Sequence, residues 1–184
     1  MIHLYDPLRQ ASGADAEKCM VEQSERLRAW WEELPSFLRM DPSHLPMFCP
    51  PSHMVTLKCV SSTRVHRMRL LTVLHSCLYH TTNILLHRSA LTAFPLPPSA
   101  MTDSNVNPLV QCTTSASSIV AIFDLFCRTF GDGHVILSLA YSVYTASSIF
   151  LLEMKAGKFT PDAGEKLQYC VRALERVKQS SPGV

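Results

Sequence analysis

Glycine is scarce in this chain, and the patterns that glycine usually supports are missing. The sequence holds six glycines against twelve prolines. The closest glycine pair, in Gly131-Asp132-Gly133, has neither the third glycine nor the preceding strand of a nucleotide-binding loop, so we interpret it as a turn. No alternating strand pattern is found either. Since most prolines fall in a few clusters, long stretches between them are free to be helical.

The chain also lacks the motifs of common hydrolases, metalloproteases and zinc fingers. It has no Gly-x-Ser-x-Gly, no His-Glu-x-x-His and no Cys-x-x-Cys. The seven cysteines, an odd number, do not form a disulfide framework and fit reduced thiols used as small hydrophobes in a cytosolic or nuclear protein. We therefore predict a protein that is not an enzyme, with no catalytic, cofactor-binding or metal-ligating residues.

Basic charge is sparse as well. The formal net charge is +2, and the densest basic stretch, Arg64, Arg67 and Arg69, fits a solvated helix start better than a phosphate clamp. The first residues have neither the basic nor the apolar region of a secretory signal. Residues 133–152 hold no Asp, Glu, Lys or Arg and approach the length of a membrane span, but their many hydroxyls favour a buried central helix. We expect neither membrane insertion nor specific DNA binding by this chain alone.

What the sequence does contain is helical apolar periodicity. Hydrophobic residues make up 47% of the chain and charged residues 17%, which is apolar enough for a sizeable core. Apolar residues that recur three and four positions apart predict helices over about 15–34, 64–91, 111–130, 135–156 and 161–179. The predicted fold is all-α, an irregular array of about five main helices.

Two long Pro-rich connections interrupt these helices. The first, about 36–62, keeps apolar residues, so we expect it to pack across the helices with a short helical turn. The second, about 92–108, is predicted to be a loop. We predict that the chain is a single helical domain or the C-terminal half of a larger helical regulatory domain, with tails at 1–14 and 180–184.

Two expectations concern burial. The second helix is predicted to be the core of the fold, with Leu78 and Leu85 on its buried face, so that alanine at either position costs about 2–5 kcal/mol. The fourth helix is apolar or hydroxyl-bearing on every side. We expect it to remain partly uncovered, with Ile149, Phe150 and Leu151 at the exposed edge.

Candidate reactive side chains are few. His80 and His87 lie two helical turns apart, about 10 Å, too far to share one metal ion, and we interpret them as boundary histidines at the edge of the core. Cys112 lies near a predicted helix start, where the helix dipole would lower its pKa, so it is predicted to be the most reactive thiol. Trp30 and Trp31 fit either an aromatic ligand wall or, more commonly, a pair that is half core and half surface.

Four stretches of the chain resemble one family. They are Leu27-x-x-Trp30 with Leu34-Pro35, Leu78-Tyr79-His80 with Ile84-Leu85-Leu86-His87-Arg88, the run Cys112, Ala116, Ile119, and Leu139 to Leu152 with Ala146-Ser147-Ser148-Ile149-Phe150-Leu151. The family is the fungal-specific transcription factor domain, the middle homology region of fungal zinc-cluster transcription factors. The similarity spans about residues 27–174, and the Leu-Leu-His-Arg stretch is its most specific part. Ser89 departs from the pattern, because the family usually has proline there.

The resemblance implies a nuclear, non-catalytic regulatory region that controls RNA polymerase II transcription. The family's zinc cluster and the front half of its regulatory domain are missing from this sequence, so DNA binding is not carried over. Expected partners are the missing N-terminal half of the regulatory domain, other proteins, a small hydrophobic effector, or a second copy in a homodimer. The alternatives are a helical small-molecule sensor and a protein-interaction module without a direct DNA role.

Overall fold

The computed structural model describes residues 13–47, 62–93, 107–155 and 161–180, and within these ranges the chain is all-α. The α-helices are α1 (Gly13–Glu33), α2 (Ser62–Ala93), α3 (Pro108–Phe130), α4 (Leu137–Lys155) and α5 (Pro161–Ser180). Short 3-10 turns lie at Ser36–Leu38, Pro42–His44 and Asp132–His134. The predicted all-α class with five main helices is confirmed. The expected helical turn in the first connection is present, and its remainder, together with the second connection up to residue 106, lies outside the described residues.

Local signals explain both ends of α3. The helix begins at Pro108, and the side-chain oxygen of Asn107 accepts a hydrogen bond from the Leu109 N–H at 3.0 Å. An Asn cap followed by proline is a favourable helix start, so this helix begins earlier than the periodicity predicted. At the other end, Gly131 adopts a φ of +80° and donates its N–H to the Cys127 carbonyl at 2.8 Å. Glycine reaches that φ without steric cost, in agreement with the interpretation of Gly131-Asp132-Gly133 as a turn.

Hydrogen bonds between helices establish that α2 and α4 run in parallel. Thr81 donates its hydroxyl proton to Ser142 at 2.9 Å. Arg88, seven residues further along α2, donates to Ser148, six residues further along α4, at 3.1 Å. The contacts therefore advance in the same direction on each helix. A parallel pair needs a third element to return the chain, and α3 fills that position.

The helices α3 and α5 form a second parallel pair. Lys166 donates to the hydroxyl of Ser117 at 3.0 Å, and Tyr169 donates to the carboxylate of Asp124 at 3.1 Å. Because only the short turn at 131–136 joins α3 to α4, these two run in opposite directions. Helices α2 to α5 thus make an up-down-up-down array, and α1 packs on α2 at one side.

Helix α3 packs against α2, α4 and α5. Its buried apolar residues are Cys112, Ala116, Ile119, Ile122, Phe123, Leu125 and Phe126. Helix α2, which was predicted to be the core of the fold, packs against α1, α3 and α4 and buries Val73, Cys77, Ile84 and Leu86, so it shares the core with α3. One face of α2 is nevertheless left open.

The predicted burial of Leu78 and Leu85 was wrong, since these side chains are 51% and 42% exposed. The apolar residues of α2 that are almost fully buried are Val73, Cys77 and Ile84. Both sides of α2 carry apolar residues, so periodicity alone could not select between them. Polar side chains on α2 that form hydrogen bonds with α3 and α4 determine which side of α2 is buried.

The expectation that α4 stays partly uncovered is correct, but its edge was misplaced. Ile149 and Phe150 are buried against the array, and Leu151 alone of the three expected residues is exposed. The other large apolar residues exposed on α4 are Leu137, Tyr141 and Tyr144. Since the helix is uncharged on every side up to Leu152, its sequence does not mark which face turns outward.

Two neighbouring residues of α2 test this placement. Ile84→Ala should lower the free energy of unfolding by about 2–5 kcal/mol, because it leaves a cavity against α3. Leu85→Ala should lower it by less than about 1 kcal/mol, because half of that side chain is already in water. Denaturant unfolding followed by circular dichroism measures both. A larger loss for Leu85→Ala than for Ile84→Ala would contradict the orientation of α2.

Candidate functional site

The buried face of α2 is unusually polar. Its buried polar residues are Ser76, His80, Thr81, Asn83 and His87. A buried polar group is costly unless it is hydrogen-bonded, and most of these are paired across helices. Asn83 donates its amide to Ser115 on α3 at 2.8 Å, and Ser76 accepts from the N–H of Met40 at 3.0 Å. These bonds fix the rotation of α2 about its own axis.

His80 and His87 are the exceptions on this face. They are only 8% and 1% exposed, so the interpretation as boundary histidines at the core edge was wrong. Within the part of the chain that the structure describes, neither ring nitrogen of His80 has a hydrogen-bond partner. His87 Nε2 lies 3.3 Å from the hydroxyl of Ser24 on α1, and its Nδ1 has no partner there either. Both rings lie at the contact of α1 with α2, where the His80 ring is 6.2 Å from that of Trp31.

Burial holds these two imidazoles in the neutral form. It lowers the pKa of His80 from 6.5 to about 4, and it lowers the pKa of His87 as well. Neutral imidazole is also the form that ligates metals, but in the described residues no group of three His, Cys, Asp or Glu side chains comes together. The expectation that the chain binds no metal stays a prediction.

The buried histidines make stability depend on pH. In the unfolded chain His80 takes up a proton near pH 6.5, whereas in the folded chain it does so only near pH 4. The unfolded chain therefore gains no advantage from protonation of His80 above pH 6.5, and the free energy of unfolding falls as the pH drops from 6.5 towards 4. We expect a loss of about 2 kcal/mol between about pH 7.5 and about pH 5, measured by urea unfolding.

His80→Leu should remove much of this loss, because the unfolded chain then has no imidazole at position 80 that acid can protonate. A substitution at the exposed Val171 on α5 gives the control, and Val171→Ala should keep the wild-type acid dependence. If His80→Leu lost stability with acid as steeply as the wild-type chain, burial of the His80 ring would not be the cause.

Aromatic contacts hold α1 on α2. Trp31 stacks on Tyr79 with ring centroids 4.4 Å apart, and Tyr79 meets His80 edge-on at 5.1 Å. Trp30 lies 6.4 Å from His75 and is more exposed than Trp31. Stacked aromatic pairs contribute about 0.5–1.5 kcal/mol beyond their buried area. The tryptophan pair thus covers α2, as the half-core, half-surface interpretation predicts, and forms no ligand wall in the described residues.

The cysteines that the structure describes are free thiols. Burial raises the pKa of Cys112 to about 12 and that of Cys170 to about 11. The prediction that Cys112 is the most reactive thiol was therefore wrong. The residue does lie near the start of α3, but its sulfur is packed against the Ile84 carbonyl at 3.8 Å, and loss of water outweighs the helix dipole.

Thiol labelling measures this burial directly. A short pulse of iodoacetamide should leave Cys112 and Cys170 unmodified in the folded chain, because both side chains are inaccessible and protonated. The same pulse after unfolding should modify both, which peptide mass spectrometry reads out site by site. Modification of Cys112 in the native chain at the unfolded rate would contradict its place between α2 and α3.

A polar cluster that the sequence did not reveal joins α5 to the end of α3. Arg176 donates to the carboxylate of Asp132 at 3.0 Å, next to the bond between Tyr169 and Asp124. Burial and the nearby Asp132 raise the pKa of Cys127 to about 12, so this thiol is not poised as a nucleophile. The cluster fastens α5 to the turn after α3. The two partners in each of these bonds are more than forty positions apart in sequence, so no local sequence pattern predicts the cluster.

The outward side of α2 and α4 carries large exposed apolar side chains on both helices. We call it the α2/α4 face; its residues are Leu78, Leu85, Leu137, Tyr141, Tyr144 and Leu151, all exposed. The bonds from Thr81 and Arg88 to α4 hold the two helices side by side beneath it. Exposed apolar side chains on neighbouring helices are a candidate interaction site.

Two of the described helices, α3 and α4, are long and apolar enough to cross a membrane by length and composition. Half of the relevant α3 window and 44% of the α4 window are buried inside the array. Core helices of water-soluble proteins commonly pass the same test. The expectation that the chain does not insert into a membrane remains a prediction.

Comparisons of the chain with protein-family models, with curated proteins and with solved structures find no match. The resemblance to the fungal regulatory family therefore rests on the four stretches of sequence that carry it. The structure adds the positions of those stretches relative to one another.

Proposed function

We propose that this chain is a non-catalytic regulatory module that acts in the nucleus as the middle homology region of a fungal transcription factor. In this function it tunes RNA polymerase II transcription through contacts with other protein segments. It does not read DNA itself, because the zinc cluster of the family is absent from the sequence.

The observation that carries the proposal is that the stretches of the resemblance lie on helices that pack around α2. Trp31, which follows the motif residue Trp30 of the first stretch, stacks on Tyr79 of the second. Cys112 of the third donates its thiol proton to the Ile84 carbonyl of the second. The second stretch therefore packs against the helices that carry the first and the third.

The second stretch also reaches the fourth. Its Arg88 donates to Ser148 on α4 at 3.1 Å, and Ser24, next to the first stretch, lies against its His87. The side chain of Ser89, where the family usually has proline, lies outside the described residues. The sequence from Leu78 to Arg88 therefore contacts α1, α3 and α4, consistent with its being the most specific part of the resemblance.

The charges of the described residues fit a protein partner better than nucleic acid. Arg26 and Arg28 pair with glutamates one turn away on α1, and Arg128 pairs with Asp124 on α3. Basic side chains paired in this way do not form the concentrated positive surface that phosphate binding needs. The side chains of Arg64, Arg67 and Arg69 lie outside the described part of the chain.

A second candidate function is a protein-interaction module without a role at DNA. The exposed α2/α4 face favours it, because such a face can bind partners in any pathway. The small-molecule sensor stays a prediction, which a hydrophobic ligand in the purified protein would support.

A reporter assay in fungal cells tests the proposed function. The chain is placed between an unrelated DNA-binding domain and an activation domain, and compared with a neutral linker of equal length. A regulatory module should change reporter output several-fold at equal protein level. Trp31→Ala removes the stack of α1 on α2 and should return output towards that of the linker.

The matched control is Val21→Ala, a truncation of an exposed apolar residue on the same helix. It should keep the effect of the wild-type chain. Reporter output equal to that of the linker, with both fusions present in the nucleus at the same level, would reject the regulatory role.

A further inference from the structure

Helix α1 lies on the outside of the array and is weakly held. Over residues 18–33, where its side chains are described, every one is exposed or half-buried and none is fully buried. The half-buried side chains are Cys19, Met20, Gln23, Ser24, Leu27 and Trp31. Helix α1 packs on α2, whereas α3 and α4 each pack against three other helices. A helix with so few buried contacts opens at a lower free-energy cost than the core helices do.

Two imidazole rings lie beneath this helix. His87 Nε2 is 3.3 Å from the Ser24 hydroxyl, and the His80 ring lies 6.2 Å from the ring of Trp31. Within the described part of the chain, three of their four ring nitrogens have no hydrogen-bond partner. A protonated imidazole donates from both nitrogens, so it would be buried here with unpaired N–H groups. Protonated rings therefore destabilise the docked position of α1.

We propose that α1 is an acid-released lid: protonation of His80 and His87 undocks it from α2 while helices α2 to α5 stay packed on one another. In the open state both imidazolium groups reach water. Burial in the docked state lowers the pKa of His80 from 6.5 to about 4, and it lowers the pKa of His87 as well. Protons therefore bind the open state more tightly, and acid shifts the equilibrium towards it.

The charges on the neighbouring elements do not oppose this release. Burial is the one cause of the lowered pKa at each ring, and no described carboxylate forms a hydrogen bond with either. The charged side chains of α1 over residues 18–33 are exposed, and neither the turn at Ser36–Leu38 nor α4 up to Leu152 holds an Asp, Glu, Lys or Arg. The titratable and charged groups on the surrounding helices are Arg28 and Glu32 on α1, His75, Tyr79 and Arg88 on α2, Cys112 on α3 and Glu153 near the end of α4.

The chain beyond α1 is fastened separately, so the release can stop at Pro35. Helix α1 ends at Glu33, and Pro35 prevents it from continuing. A few residues later Met40 is only 4% exposed and donates its N–H to the Ser76 hydroxyl of α2 at 3.0 Å. Opening about Pro35 leaves this anchor in place, so α1 moves as one unit.

Hydrogen–deuterium exchange of the full chain, read by mass spectrometry, tests the proposal. Opening constants are obtained for peptides of α1 and α3 at pH 7.5 and pH 5, after correction for the intrinsic pH dependence of exchange. The opening constant of α1 should exceed that of α3 at both pH values. It should rise at least about 20-fold between pH 7.5 and pH 5, because His80 alone supplies that factor.

Tryptophan fluorescence gives a second readout, since both tryptophans of the chain lie on α1. During an acid titration, quenching by acrylamide should rise before Cys112, between α2 and α3, becomes accessible to 4,4′-dithiodipyridine. Coincident changes would show that the chain opens only as a whole.

His80→Leu should reduce the acid-induced rise in the α1 opening constant several-fold. The matched control is Leu85→Ala, a truncation of an exposed residue on the same helix that keeps both imidazoles, and it should show the wild-type rise. Equal opening constants for α1 and α3 in the wild-type chain would overturn the proposal, and so would an α1 opening constant that acid leaves unchanged. Both outcomes are read from the wild-type chain, so the test stands even where His80→Leu does not fold.

Discussion

Hydrogen bonds between buried polar side chains determine how the helices of this protein fit together. Asn83 bonded to Ser115 sets α2 against α3, and Thr81 bonded to Ser142 sets it against α4. Rotating α2 would leave an amide and a hydroxyl buried without partners, at a cost of about 1–3 kcal/mol each. Burying Leu85 in place of Ile84 would recover less than this, because the two side chains are nearly equal in size. The polar pairs therefore decide which leucines remain in water.

Much of the fold could be predicted from local signals, and the orientation of the helices could not. Clustered prolines and the glycine at position 131 punctuate the chain, so the number and approximate extent of the helices followed directly. The inward face of α2 depends on Ser115 and Ser142, which belong to other helices. A sequence pattern read along α2 alone holds no information about them. For α4, the same apolar and hydroxyl residues occur on all sides, so Phe150 and Tyr144 looked equivalent although one is buried and one exposed.

The candidate sites show the same division between local and distant causes. The position of Cys112 near a helix start correctly suggested a helix dipole, but the Ile84 carbonyl and the loss of water around the sulfur come from packing. The ion pair of Asp132 with Arg176 joins residues that no motif connects. His80 and His87 could be located on one edge of a helix, yet their burial depends on α1, which folds over them. In each case the residue type was informative and its surroundings were not predictable.

The two parallel pairs, α2 with α4 and α3 with α5, bear on how quickly the chain can assemble. In an up-down-up-down array each helix packs mainly on the one before it, so most contacts close short stretches of chain and little loop entropy is lost. During synthesis α2 and α3 can join as soon as both have left the ribosome, before α5 exists. The apolar helix α4 then packs on a preformed surface. This limits the time during which its exposed apolar sides can aggregate with other chains.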